Sequence, residues 1–276
     1  MDNDDATIGR ILSRREMLAL LGSAGAAVLV GCSDNDSPAA STSQATGPTD
    51  TVAAGASPSI GAASTTAGAA TATATAIPAC VVTPALTEGP YFVDEKLNRA
   101  DIRSDPTNSA VKAGTPLALT FVVQRVAGGQ CAPLANATVD VWHCDAAGVY
   151  SDASDPGFNT KGQKFLRGYQ VTDAAGKAAF NTIYPGWYQG RAVHIHFKVR
   201  GLRADGKSFD FTSQLFFDEA VTDVVHAQQP YAAKGRRTLL NAGDGIWRES
   251  NGQLQLNAVK STDGYAGTFV IGVSGV

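Results

Sequence analysis

The stretch from Tyr184 to Val199 reads Tyr-Pro-Gly-Trp-Tyr-Gln-Gly-Arg-Ala-Val-His-Ile-His-Phe-Lys-Val, and its second half alternates apolar with polar side chains. One face carries Val193, Ile195, Phe197 and Val199, and the other carries His194, His196 and Lys198. Successive side chains of a strand point to opposite faces, so two imidazoles at i and i+2 lie on one face, about 7 Å apart at their Cα atoms. The stretch predicts a half-buried strand that suits chelation of a metal ion. A His-X-His pair taken alone more often marks an ordinary polar face, so the assignment depends on the rest of the chain.

The first 32 residues have the pattern of an export signal. The pair Arg14-Arg15 precedes an uncharged run over residues 19–31, as in twin-arginine signals. The run is too short for a convincing membrane-spanning helix, and it ends in Leu-Val-Gly-Cys32, which resembles the lipobox of bacterial lipoproteins. We therefore expect residues 1–32 to be a twin-arginine/lipoprotein-type signal, with lipid attached at Cys32. The alternative is a plain signal peptide with an incidental cysteine.

Composition divides the remaining chain in two. Residues 33–79 consist almost entirely of Ala, Ser, Thr, Gly, Pro and Asp, so they bury too little apolar surface to offset the entropy of ordering. We expect a disordered tether there, and one domain over residues 80–276. The net charge of −3 and the lack of a basic stripe argue against nucleic acid as a partner.

These features also predict a location. The protein is expected to be exported and held on the outer side of the cytoplasmic membrane, facing the periplasm or the cell surface. Its only membrane contact would be the lipid anchor. The sequence leaves the oligomeric state open.

The cysteines favour one disulfide. Cys80 and Cys131 each lie in loop-like sequence just before a structured stretch, and an exported protein can hold a disulfide. This favours a Cys80–Cys131 bond and leaves Cys144 as a free thiol on a strand. Three cysteines allow three pairings, and the sequence alone does not choose among them.

The domain is predicted to be mostly β. Short β-branched or alternating runs are separated by Gly, Pro and Asp turns, which is typical of an antiparallel β-sandwich. We expect long active-site loops and a few short helices, the best candidates lying near residues 218–227 and 234–241. The predicted strands are Leu117–Val126, Thr138–Cys144, Gly168–Thr172, Ala178–Ile183, Ala192–Arg200, Phe209–Phe217 and Thr268–Val273.

Four motifs occur in order along this domain. They are Thr87–Phe92 (TEGPYF), Val139–Ser151 (VDVWHCDAAGVYS), the opening stretch and Ser213–Phe217 (SQLFF). Together they resemble the intradiol ring-cleavage dioxygenases, the family of protocatechuate 3,4-dioxygenase and catechol 1,2-dioxygenase. The resemblance covers essentially all of residues 80–276. It implies an enzyme that opens a catechol ring with O2 between the two hydroxylated carbons, giving a muconate-type diacid.

The resemblance also implies a ferric ion held by two tyrosinates and two histidines. Carried onto this chain, the ligands are Tyr150, Tyr188, His194 and His196. Tyr184 competes with Tyr188, but it sits where a strand should end, just before a proline. A coordinated cation lowers the pKa of a phenol strongly, and ferric iron favours anionic oxygen. The spacing from Tyr188 to His194 is shorter than is usual in the family, which implies a more open cleft.

Other donor sets fit the sequence less well. Ferrous oxygenases use two histidines and a carboxylate, and no Asp or Glu adjoins His194 or His196. Zinc favours Cys and His without such a tyrosine pair. The remaining histidines, His143 and His226, do not match ligand positions; we expect His143 on a strand and His226 at the surface.

The resemblance assigns roles to further residues. Tyr188 would leave the metal and accept a substrate proton, acting as both ligand and base. Arg191 would stabilise negative charge on the activated ring and contact the substrate, and Gln214 would hydrogen-bond the oxygenated intermediate. Pro90 and Tyr91 match a segment that lines the substrate cleft. The rival reading is an exported β-sandwich lipoprotein that binds metal or catechol ligands without turnover; the presence of Arg191 and Gln214 favours the enzyme.

Overall fold

The computed structural model describes residues 81–276. The predicted signal (1–32) and tether (33–79), together with Cys32 and Cys80, lie outside the described residues. Neither helix within residues 81–276 has the length and apolar character needed to cross a bilayer.

Most of the described chain is strand. The strands are β1 (Pro116–Ala127), β2 (Gln130–Pro133), β3 (Thr138–Trp142), β4 (Ser154–Asp155), β5 (Phe158–Asn159), β6 (Arg167–Val171), β7 (Lys177–Ile183), β8 (His194–Leu202), β9 (Ser208–Phe217), β10 (Gln255–Leu256), β11 (Val259–Lys260) and β12 (Tyr265–Ser274). The helices are α1 (Glu219–His226) and α2 (Gly245–Glu249), with 3-10 turns at Tyr231–Lys234 and Asn241–Gly243.

The first sheet is built around the long strand β1. One edge of β1 pairs in parallel with β12, which pairs in turn with β11. Along its other edge, β1 pairs antiparallel with two strands in succession. Residues 116–122 pair with β7, and residues 124–127 pair with β2. The second sheet has the order β10-β9-β8-β3-β6, with β8 antiparallel to both of its neighbours. Strands β4 and β5 form a separate hairpin.

The prediction of a mostly β, sandwich-type fold is confirmed, and each of the seven predicted strands is present within a few residues of its expected ends. The sequence predicted purely antiparallel sheets, but both sheets are mixed. Strand β1 pairs in parallel with β12, and β9 pairs in parallel with β10. The predicted strand 138–144 ends at Trp142, so Cys144 and His143 lie just beyond it.

The apolar face of β8 fills the core between the sheets. Phe197 is fully buried, and its ring centroid lies 5.3 Å from that of Phe121 and 5.7 Å from that of Phe269. Ile195 and Val199 are buried in the same core. The alternation predicted for residues 193–199 therefore holds, and it turns His194 and His196 to the outer face of the second sheet.

One of the two predicted helices is confirmed. Helix α1 begins after Asp218, whose carboxylate accepts hydrogen bonds from the backbone N–H groups of Ala220 and Val221, an effective N-cap. The helix predicted near residues 234–241 is wrong. Gly235 adopts a φ of 80° and ends the preceding 3-10 turn, since this left-handed conformation terminates helical turns.

A substitution in the core tests this arrangement. Phe197→Ala should lower the free energy of unfolding by about 3–5 kcal/mol, because it leaves a cavity among buried aromatic rings. Urea unfolding followed by tryptophan fluorescence measures the change. Val171→Ala, on an edge strand and 47% exposed, is the control and should change stability by about 0.5 kcal/mol or less.

Candidate metal centre and active site

Three neighbouring strands present polar groups side by side on the outer face of the second sheet. In the register of the sheet, Trp142 on β3 lies opposite His196 on β8, and His196 lies opposite Gln214 on β9. All three side chains are buried. The Trp142 and His196 rings stack with centroids 5.0 Å apart and an interplanar angle of 10°, so packing fixes the orientation of this imidazole.

The two imidazoles converge on one point. His194 Nδ1 donates to the Ala192 carbonyl at 2.7 Å, which leaves a lone pair on its Nε2. That atom lies 3.0 Å from His196 Nε2. With metal–nitrogen bonds of about 2.1 Å, as zinc sites show, two ligand nitrogens at a right angle lie about 3 Å apart. Burial and the nearby Arg191 charge lower the pKa of His194 to about 3, so the imidazole is neutral and able to bind a cation.

Tyr188 lies on the turn that precedes β8. Its hydroxyl is 3.3 Å from His194 Nε2. Burial raises the pKa of Tyr188 to about 12, and the positive charge of Arg191 opposes that rise. In the protein alone the phenol is therefore protonated, and ionisation at neutral pH requires a cation at the site.

Tyr150 lies on the loop after β3 and is 1% exposed. Its ring centroid is 5.7 Å from that of Tyr188 and 6.1 Å from that of His196. Its hydroxyl is buried and has no well-formed hydrogen bond within residues 81–276. Burial, and after it the neighbouring Tyr188 hydroxyl, raise its pKa well above the usual value. A buried hydroxyl without a well-formed hydrogen bond is costly, so this oxygen fits the role of a ligand atom.

Hydrogen bonds behind Tyr150 hold its loop. Thr160 Oγ1 donates to the Tyr150 carbonyl at 2.5 Å, and Ser151 Oγ donates to the Phe165 carbonyl at 2.6 Å. Arg167, 2% exposed, donates from Nε to Ser151 Oγ at 2.7 Å and from Nη1 to the Tyr91 carbonyl at 3.2 Å. The guanidinium thus ties the Tyr150 loop to the segment around Tyr91.

Two glycines allow the loops of the two tyrosines to interlock. A Cβ at Gly148 would lie 2.1 Å from the Trp187 carbonyl oxygen, and one at Gly186 would lie 2.4 Å from the Ala146 carbonyl oxygen. Gly148 also has a φ of 79°, which other residues rarely adopt. The loops that carry Tyr150 and Tyr188 therefore pack backbone against backbone, with the two rings 5.7 Å apart at their centroids.

Gly186→Ala should separate the loops. The added methyl meets rigid backbone atoms, so we expect about 1–3 kcal/mol of destabilisation and a marked fall in bound iron per chain. Thermal unfolding and metal analysis after purification measure the two effects. Gly157→Ala is the control, because a Cβ there meets only the Asp155 carboxylate at 3.9 Å; equal losses in the two variants would contradict the role given to Gly186.

Arg191 is held by a carboxylate from a distant segment. Its Nε donates to Asp244 Oδ2 at 2.9 Å, and its Nη2 donates to Gln214 Oε1 at 2.7 Å. Asp244 is 2% exposed and also accepts from the Ala192 backbone N–H at 2.8 Å. Burial alone would raise the pKa of Asp244, but the Ala192 N–H and the Arg191 charge lower it on balance. Sequence reasoning missed Asp244, because a single Asp in a turn carries no signal.

Both the oxygen and the nitrogen of the Gln214 amide form hydrogen bonds. It accepts from Arg191, and its Nε2 donates to the Thr87 carbonyl at 2.8 Å. The resemblance implies contact with an oxygenated intermediate, and that role of Gln214 stays a prediction. In this arrangement the amide links Arg191 to the Thr87–Tyr91 segment.

That segment covers the imidazoles and one tyrosine. A Cβ on Gly89 would lie 3.2 Å from His196 Cε1, so the chain passes directly over this ring. Tyr91 stacks on Tyr150 with centroids 4.4 Å apart and an angle of 22°. Pro90, between them, is exposed. The positions predicted to line a cleft thus adjoin the candidate ligands.

The remaining candidates lie elsewhere. Tyr184 packs in the core against Phe217, and its hydroxyl is 2.7 Å from Thr222 Oγ1. His143 Nε2 accepts from Thr182 Oγ1 at 2.7 Å. His226 donates from Nε2 to the Pro185 carbonyl at 3.0 Å and is buried, so its predicted surface position is wrong.

The two described cysteines differ in their bonding state. Cys131 is disulfide-bonded, and Cys144 is a free, buried thiol whose pKa burial raises to about 12. The predicted partner of Cys131, Cys80, lies outside the described residues.

The donor set suits a hard cation. Among residues 81–276, no group of three or more His, Cys, Asp or Glu side chains is placed to hold a metal. The side-chain oxygens beside the paired imidazoles are the phenols of Tyr150 and Tyr188, and phenolates favour ferric iron. The buried Tyr150 hydroxyl and the two facing Nε2 atoms fit that preference.

Comparison with known proteins agrees with this geometry. A family model described as a dioxygenase matches residues 87–244, which is more than half of the chain. The structure is similar to that of an intradiol ring-cleavage dioxygenase from Tetranychus urticae, with a TM-score of 0.62 and 30% identity over 71% of this chain and 95% of that one. The chain belongs to the intradiol ring-cleavage dioxygenase family. The family predicted from the sequence is thereby confirmed.

Two curated relatives are similar to this dioxygenase-family chain. A protocatechuate 3,4-dioxygenase beta chain from Burkholderia cepacia is 37% identical over 159 residues, covering 53% of this chain and 66% of the relative. Catechol 1,2-dioxygenase 2 from Acinetobacter lwoffii is 35% identical over 142 residues, covering 42% and 46%. The aligned segments span about half to two thirds of the length of these relatives. Both are named as dioxygenases, the enzyme class predicted from the sequence.

Proposed function

We propose that this family member is a ferric intradiol dioxygenase that opens a catechol-type ring with O2. The ring opens between the two hydroxylated carbons, and both oxygen atoms enter the product, a muconate-type diacid. The observation that supports this most strongly is the buried Tyr150 hydroxyl, which has no well-formed hydrogen bond, on a ring 5.7 Å from that of Tyr188 and close to the two facing imidazoles.

Tyr150, Tyr188, His194 and His196 would hold the iron, which when bound supplies a Lewis acid that draws electron density through the catechol oxygens. The neutral imidazoles offer lone pairs, and the phenols lose their protons to the charge of the cation. Tyr188 is the less buried tyrosine, so it is the ligand best placed to leave and take a substrate proton at its hydroxyl oxygen.

Arg191 would stabilise negative charge that develops on the bound ring, because its guanidinium is fixed before substrate arrives. Asp244 and Gln214 act as positioning residues for it. The Thr87–Tyr91 segment excludes water from above His196 and forms part of the substrate wall, with Pro90 and Tyr91 as its contact residues.

Colour and oxygen uptake test the proposal. Iron-loaded protein should be red to burgundy, because tyrosinate-to-iron charge transfer absorbs visible light, and catechol should drive uptake of one O2 per diacid formed. A coloured, iron-loaded protein with no oxygen uptake would mean that the site binds catechols without turnover. A colourless protein without iron would reject the metal centre itself.

We also propose export and lipid anchoring through Cys32, supported by the twin-arginine pair and the lipobox-like sequence. Fractionation of cells that produce the full chain tests this. The native chain should be found with the membrane and Cys32→Ala released from it; equal partition of the two would reject lipidation.

A further inference from the structure

The small hairpin β4–β5 packs against the candidate site through Tyr91. The Tyr91 ring stacks on Tyr150, meets Tyr188 edge-on at 6.4 Å, and lies 6.2 Å from the ring of Phe158 on the hairpin. The hairpin therefore borders the space in front of the two tyrosines, where a ring substituent of a bound catechol would project.

The hairpin holds a carboxylate in place at this border. Tyr91 donates its hydroxyl hydrogen to Asp155 Oδ2 at 2.7 Å, and the Gly157 backbone N–H donates to Asp155 Oδ1 at 3.2 Å. The residue is half-buried. Two donors fix the direction of this charge without neutralising it, since both are uncharged groups.

Four of the cations in this part of the structure are already paired with carboxylates. Arg191 binds Asp244, Lys161 binds Asp152 and Lys164 binds Glu95. Lys198, on the face of β8 that carries the histidines, binds Glu88. Within residues 81–276, Asp155 itself takes part in no ion pair.

One cation near the site, Arg167, would instead attract an anionic substituent. Arg167 forms no ion pair with a carboxylate within the described chain, but it is 2% exposed and donates to Ser151 and to the Tyr91 carbonyl. It lies behind the Tyr150 loop, and burial keeps it from direct contact with a ligand. Lys234 also has no ion pair within residues 81–276, but it lies over the Trp187 ring and donates to the Ala147 carbonyl. The unneutralised charge that contacts Tyr91, the ring stacked on Tyr150, is the Asp155 carboxylate.

We propose that Asp155 makes this site selective for catechols that carry a cationic side chain, such as a protonated amine, over catechols that carry a carboxylate. The inference rests on the proposed function. An amine is attracted to the fixed carboxylate and a carboxylate is repelled. At about 7 Å in water, one unit charge changes the binding of another by about threefold. Attraction of the amine and repulsion of the carboxylate multiply, so the ratio between the two changes by about tenfold.

Three 4-substituted probes measure the selectivity: 4-(2-aminoethyl)catechol, 4-methylcatechol and 3,4-dihydroxybenzoate. Oxygen uptake by the iron-loaded full chain gives kcat/KM for each. The expected order is amine, then methyl, then carboxylate. Asp155→Asn keeps the shape of the side chain and should lower the amine-to-carboxylate ratio about tenfold.

Two further measurements keep the test independent of turnover and of the folding of the variant. Calorimetric titration of gallium(III)-loaded protein should give the same order of affinities, because gallium binds phenolates without redox chemistry. In the native chain, raising the ionic strength should reduce the amine-to-carboxylate ratio, since added salt screens charge.

The matched control is Asp173→Asn. Asp173 also accepts a backbone N–H two residues ahead, in the β6–β7 turn, and this variant should keep the native ratio. A native preference for the carboxylate, or a ratio unchanged in Asp155→Asn while turnover persists, would overturn the inference alone. Absence of oxygen uptake with all three probes would overturn the proposed function and this inference with it.

Discussion

Tyr150→Phe is expected to abolish iron binding and ring cleavage while leaving the metal-free domain about as stable as the native one. The Tyr150 hydroxyl is buried without a well-formed hydrogen bond within the described chain, so its removal costs little hydrogen bonding and relieves a desolvation penalty. The same change deletes one of two anionic oxygens from the proposed iron site. We expect a fall in kcat of a thousandfold or more, loss of the visible band, and a free energy of unfolding of the metal-free form within about 1 kcal/mol of native.

Tyr184→Phe is the matched control. It removes the hydroxyl of another buried tyrosine, one paired with Thr222 at 2.7 Å. Loss of that bond should cost about 1 kcal/mol of stability, with iron content, colour and turnover kept. If instead Tyr150→Phe proved strongly destabilising but retained iron and colour, Tyr150 would be a structural residue and the proposed ligand set would be wrong.

Asp244→Asn is expected to lower kcat about 10- to 100-fold with iron and colour retained. The Asp244 Oδ2 atom accepts from Arg191 and from the Ala192 N–H. An amide nitrogen in its place cannot accept either bond, so the guanidinium loses its fixed position; small displacements of this kind cost up to about a hundredfold in rate. The amide oxygen can still accept from the Ile246 and Trp247 N–H groups that Asp244 caps.

Asp218→Asn separates this effect from a general loss of stability. Asp218 caps α1 in the same way, accepting from Ala220 and Val221, but it has no contact with Arg191. It should leave kcat, KM and colour at native values. A purely structural role for Asp244 would lower the melting temperature, the iron content and the activity together, which steady-state kinetics combined with metal analysis would reveal.

The parts of this fold that could be predicted from sequence are those with strong local periodicity. The alternation over residues 193–199 placed the imidazoles on the outer face and Phe197 in the core. Strands β2, β4, β5, β10 and β11 have two to four residues each, too few for a period of two to show. The parallel pairing of β1 with β12 joins the first long strand to the last, and no local pattern specifies the direction of so distant a pairing.

The candidate site likewise contains residues that could be predicted from the sequence and residues that could not. The four proposed ligand positions occur in motifs with family-specific order, and the resemblance assigned them. Asp244, Arg167 and Asp155 act through contacts between residues far apart in the chain: Arg191 with Asp244, and Tyr91 with both Arg167 and Asp155. Their chemistry is ordinary, and only the fold gives them a role.

Resonance Raman spectroscopy of the iron-loaded protein, excited within its visible band, tests the central claim most directly. The account predicts enhanced phenolate vibrations from two inequivalent tyrosinates, with one set lost in any Tyr150→Phe protein that still retains iron and both unchanged in Tyr184→Phe. A visible band without tyrosinate vibrations, or vibrations that persist in full after Tyr150→Phe, would contradict a ferric ion shared by Tyr150, Tyr188, His194 and His196.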